Sequence, residues 1–100
     1  MDHTATDVAL RLCADAIARH RVLRAWASLK ARHWPVDEVP TSEREKLAHA
    51  LWMIDEALAW PAVYLERKRH WLEFVQGILW ATGVASTEEI RRMNVPQETV

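Results

Sequence analysis

Ser42-Glu43-Arg44-Glu45-Lys46-Leu47-Ala48-His49-Ala50-Leu51-Trp52-Met53-Ile54-Asp55-Glu56-Ala57-Leu58-Ala59-Trp60-Pro61 is the stretch that decides the fold. It opens on a capping box, in which the Ser42 hydroxyl bonds forward to a free amide and Glu45 reaches back to the amide of Ser42. Leu47, Leu51, Ile54 and Leu58 then recur at three- and four-residue steps, a narrow apolar stripe on one helical face. Pro61 cannot continue the hydrogen-bond ladder, so the helix is expected to stop or kink at Trp60. A helix with one apolar stripe needs neighbours to cover it.

The flanks supply them. Upstream, His33-Trp34-Pro35-Val36-Asp37-Glu38-Val39-Pro40 reads as a connector, because each proline disfavours helix at the residue before it. Before that, a first helix is expected from about Thr6 to about Arg32. Thr6 would cap it and Asp7 would complement its dipole. Val8, Leu12, Val22, Leu23, Trp26 and Leu29 fall on one side of it. Leu10 and Ile17 lie off that side, so a second contact or a kink is expected. Asp15 and Arg19, within the apolar arc at i, i+4, suit an ion pair. Downstream, Pro61 fits the first turn of a third helix. Tyr64, Leu65, Trp71, Leu72, Val75, Ile78 and Leu79 share its face, and Gly83 caps its end. Ser86-Thr87-Glu88-Glu89 is a second capping box. It opens a short fourth helix, with Ala85 and Ile90 as a staple, Met93 and Val95 docking it, and Pro96 beyond its end. No segment alternates with the period of a strand. The fold expected is all-α: one domain over residues 1–100, a compact bundle of about four helices, three long and one short and C-terminal.

Composition agrees with a folded soluble domain, since 50% of residues are apolar and 27% charged. The net charge of −1 gives no global drive toward nucleic acid or membrane. No apolar run approaches the ~20 residues that span a bilayer. The polar, acidic start, Met1 to Asp7, lacks the pattern of a signal peptide. Cys13 is the single cysteine, so an internal disulfide is impossible and a cytoplasmic location is expected.

Chemistry-bearing motifs are missing. His3, His20, His33, His49 and His70 show no paired ligand spacing and Cys13 has no second thiol, so no metal site is expected. There is no nucleophile elbow or phosphate-binding glycine loop. Cys13, among alanines in mid-helix, reads as an inert buried thiol. No enzyme activity and no cofactor are expected. Gln76 to Asn94 has the outline of a helix-turn-helix, but Glu88 and Glu89 at the start of its second helix would face phosphates.

Charge is unevenly distributed. Between Arg11 and Arg32, six bases stand against the single acid Asp15. Between Asp37 and Glu56, six acids stand against Arg44 and Lys46. Trp52 lies well away from the leucine stripe of its helix, with His49 one turn before it and Asp55 and Glu56 one turn after. A tryptophan there is either covered by another helix of the chain, such as the basic first helix, or offered to a basic partner. In the second case Trp52 is the anchor and the carboxylates give complementarity. The candidate partner-binding residues are therefore Trp52, Asp55, Glu56, Glu45, His49, Asp37 and Glu38.

His70-Trp71-Leu72-Glu73-Phe74-Val75-Gln76-Gly77-Ile78-Leu79-Trp80, with the residues from Gly83 to Pro96, resembles a segment of small proteins of tailed phages and prophages. Among those, the size, the acidic patch and the lack of an enzyme site look like anti-CRISPR proteins, inhibitors of the type I-F surveillance complex. The resemblance implies a phage-encoded protein, monomeric before binding, that acts in the host cytoplasm. It would bind a host protein or ribonucleoprotein complex and block target DNA, with no direct sequence-specific contact to nucleic acid. Two other classes fit the same residues: a helical assembly module that self-associates through Trp-rich faces, and a DNA-binding regulator using the hairpin at Gly83.

Overall fold

In the computed structural model, which describes residues 1–95, both predicted capping boxes form. The Ser42 hydroxyl accepts from the Glu45 amide at 3.0 Å while the Glu45 carboxylate accepts from the Ser42 amide at 3.1 Å. Ser86 and Glu89 repeat the exchange at 3.1 and 3.3 Å. These caps start α2 (Glu43–Ala59) and α4 (Thr87–Asn94). The other helices are α1 (His3–Leu23) and α3 (Leu65–Ala81), and no strand occurs among the described residues. The protein is an all-α helical bundle. Residues 96–100, including the predicted stop at Pro96, lie outside the described residues.

α1 departs from expectation at both ends and in its buried face. Its cap is Asp2, whose carboxylate accepts from the Ala5 amide at 2.7 Å. Thr6 is inside the helix and fully buried, its hydroxyl donating back to the Asp2 carbonyl at 2.7 Å. The helix ends at Leu23, nine residues before Arg32. There Ala25 takes a positive φ of 56°, and the amides of Ala25 and Trp26 close onto the carbonyls of Val22 and Arg21. This is the double closure usually made with glycine, so the sequence carried no stop signal. The core face is Ala9, Leu10, Cys13, Ala16 and Ile17, whereas Val22 and Leu23 are exposed. The small residues of this row let α1 sit close against α2, α3 and α4. Asp15 and Arg19 both face solvent and form no ion pair with each other.

α2 buries Leu47 and Ile54 fully, while Leu51 and Leu58 are half-buried at the edge of the stripe. Pro61 ends it at Trp60 as expected. The chain then makes a 3-10 turn, Ala62–Tyr64, before α3, so Pro61 precedes the turn rather than entering α3, and Tyr64 is exposed. Leu72, Val75 and Leu79 enter the core beside two polar residues, Lys68 and Gln76. Gln76 and Asn94 exchange amide bonds at 2.7 and 3.3 Å, tying α3 to α4. Gly83, at φ 75°, closes the end of α3 as predicted. Ala85 and Met93 are buried and Ile90 packs on the core, which docks α4; Val95 is exposed.

Candidate partner-binding groove

Residues 24–42 contain no helix and fold back along α2. Buried Leu29 anchors this connector, and the Arg21 guanidinium donates to the Leu29 carbonyl at 3.4 Å. Further along, the Arg32 amide donates to the Ala48 carbonyl at 3.0 Å and the Trp34 amide donates to His49 Nδ1 at 3.2 Å. The Arg32 guanidinium lies 4.4 Å from the centre of the Trp34 ring, a cation–π contact. Arg44 of α2 also donates to the Ser28 hydroxyl.

Between the connector, α2 and α3 runs a groove of about 520 Å³. Its floor is aromatic. The Trp52 ring lies 4.3 Å from His33, 5.7 Å from His49 and 5.8 Å from Trp71. Trp71 in turn meets Trp60 edge-on at 4.5 Å. α3 contributes Trp71, Phe74 and Ile78, and the connector closes the far side with Trp34, Val36 and Val39. Phe74 is 59% exposed, Val36 fully and Val39 largely so. A concave, mostly apolar site with a few polar groups is what a binding groove requires.

His49 is the main polar group in this wall. Its Nδ1 is an acceptor here, and burial first, then the nearby His33, holds its pKa below the ordinary 6.5. Asp37 and Glu38 on the connector and Asp55 and Glu56 on α2 are all exposed. None of the four pairs with a base among the described residues. Glu38 lines the groove, and Glu56 continues the Trp52 row by one turn. Glu45 differs. Its carboxylate is occupied by the Ser42 cap and the Thr41 hydroxyl, and those hydrogen bonds hold it below the usual carboxylate range.

The seven predicted site residues thus fall into three groups: Trp52, His49 and Glu38 line the groove, Asp37, Asp55 and Glu56 are exposed carboxylates outside its lining, and Glu45 serves the cap. Trp52 is half-buried, with ring contacts from His33 of the connector and Trp71 of α3. The basic first helix meets α2 instead at Glu43, through His20 at 2.6 Å and Arg24 at 4.0 Å. Trp71, Phe74 and His33 were missed as site residues. The i, i+3, i+7 row of Trp71, Phe74 and Ile78 was the available signal, but such a row reads first as core.

Cys13 is buried, with Sγ 3.7 Å from Met93 Sδ, and burial pushes its pKa up to about 12. Among the described residues no three His, Cys, Asp or Glu side chains could share a metal, and no helix is long and apolar enough to cross a membrane. At the Gly83 hairpin, Glu88 makes surface ion pairs with Arg91 and Arg92 at 3.6 and 3.5 Å.

Comparison with family models, with curated proteins and with solved structures returns no match for this chain.

Proposed function

We propose that this chain is a non-enzymatic binding protein whose groove between the connector, α2 and α3 receives a basic partner surface. The observation that carries the reading is an open aromatic floor, Trp52 with Trp71 and Phe74, lined by the unpaired carboxylate of Glu38, with the exposed, unpaired Asp37 next to Glu38 in sequence and Asp55 and Glu56 one turn after Trp52 on α2. Aromatic side chains anchor interfaces where they are desolvated, and charges at the rim steer association. Nothing in α1 neutralises this face.

The resemblance to phage and anti-CRISPR proteins supplies the partner in this reading: a type I-F surveillance complex in the host cytoplasm, whose DNA path is basic. Carboxylates aimed at a surface built for phosphates would compete with target DNA. The test is displacement of labelled target DNA from the purified complex. The wild-type chain is expected to displace it, and Asp55→Lys with Glu56→Lys to lose that ability. No displacement by the wild type rejects this partner.

One observation favours a second reading, a self-associating module. Trp80 on α3 is 62% exposed, and Gly77, one turn before it, offers open space. Sedimentation across a wide concentration range separates the two. A monomer throughout excludes assembly, whereas a concentration-dependent dimer abolished by Trp80→Ser supports it.

A further inference from the structure

We propose that His49 is a proton-operated latch: neutral, it holds the connector against α2 and narrows the groove, and protonated, it releases Trp34 and opens the Trp52–Trp71 floor. The effect on binding rests on the groove being the partner site; the latch itself does not.

The geometry makes the contact sensitive to one proton. Nδ1 of His49 accepts the Trp34 amide at 3.2 Å. A neutral imidazole offers one acceptor nitrogen, and an imidazolium offers none. Protonation therefore turns this hydrogen bond into an N–H facing an N–H. The surroundings resist the charge as well. From the connector, the His33 ring lies 6.0 Å away and Arg32 sits over the adjacent Trp34. From α2, Lys46 stands one turn before His49 and lines the same groove. Glu45, also one turn before, is tied to Ser42. α3 presents Trp71, Phe74 and Ile78 to the groove, none of them ionisable. The acid lining the groove, Glu38, is carried by the connector and would leave with it.

The part of the connector after Trp34 is weakly tied to the rest of the fold. Beyond Trp34 its one backbone hydrogen bond before Thr41 is internal, Glu38 to the Pro35 carbonyl at 3.0 Å. Among the described residues no hydrogen bond ties 35–40 to α2 or α3. With His49 released, the Arg32–Ala48 bond becomes the last backbone tie between the connector and α2 ahead of the Ser42 cap. The closed form binds fewer protons at His49 than the open form, so acid favours opening. It is complete above the ordinary 6.5 and is lost as pH falls below that value.

The experiment is an NMR titration of the full chain from about pH 8 to about pH 5, following the His49 ring protons and the Trp34 backbone amide. The expected result is a coincident midpoint below 6.5. The Trp34 amide should lose exchange protection while the amides of Leu47 and Leu72 keep theirs. His49→Gln retains an acceptor that cannot titrate, so its Trp34 amide should stay protected throughout. A Trp34 amide that ignores the His49 titration, a His49→Gln variant that keeps the wild-type response, or joint loss of the Leu47 and Leu72 amides each overturns the latch. The wild-type titration decides alone if His49→Gln does not fold. No partner is present in this experiment, so failure of the latch is separate from failure of the binding reading.

Discussion

Lys68 has no exposed surface, yet its ammonium is fully accommodated. Nζ donates to Asp7 Oδ1 at 2.9 Å and to the Trp60 carbonyl at 3.0 Å, and lies 3.4 Å from His3 Nδ1. One side chain thus pins the start of α1, the end of α2 and α3 together. A buried pair is weak evidence for net stability, but breaking it leaves an uncompensated charge. Asp7→Ala is expected to cost about 3 kcal/mol in urea unfolding. A loss under about 1 kcal/mol would mean that solvent reaches Lys68. This contact was not legible in the sequence, where Lys68 stands among Arg67, Arg69 and His70 with nothing local to mark it as buried. Trp52 was legible, because its position off the leucine stripe is a local fact of α2. Its ring partners were not, since His33 and Trp71 come from distant parts of the chain.

At the scale of elements, legibility followed the strength of local punctuation. α2 and α4 each carry a serine and a glutamate at the capping spacing, and each starts as read; α2 also ends at Trp60 before Pro61 as read. Ser42→Ala and Ser86→Ala are each expected to cost ~0.5–2 kcal/mol. Thermal melts of the two variants check this. The Ser42 change should also disturb Thr41 and Glu45, which share its hydrogen bonds. α1 carried weaker signals. Thr6 was read as its cap, but Asp2 takes that role and Thr6 bonds back to it from inside the helix. Its buried row is dominated by alanine and cysteine, which contribute little to an apolar pattern but permit close packing. Its larger side chains, Val22 and Leu23, were read as core and face solvent.

Across the whole molecule, the opposed charge blocks of the sequence do not cancel. α1 runs through the core against all three other helices, and its bases reach the acidic block at Glu43. Of the rest of that block, Glu38 lines the aromatic groove and Asp37, Asp55 and Glu56 stay exposed and unpaired. The Cα radius of gyration, 13.3 Å, is that of a folded chain of this length, so the connector adds no extended arm. It spends its length walling the groove, which is where folding and proposed binding meet. The central claim is that Asp55 and Glu56 serve an intermolecular contact and not the fold. The most direct measurement pairs the melting temperature with partner affinity, at low and high salt, for the wild type and for Asp55→Lys with Glu56→Lys. We predict an almost unchanged melting temperature and an affinity reduced by about tenfold or more, with salt weakening the wild-type complex more than the variant's. Unfolding of the variant, or an affinity equal to that of the wild type, would contradict the account.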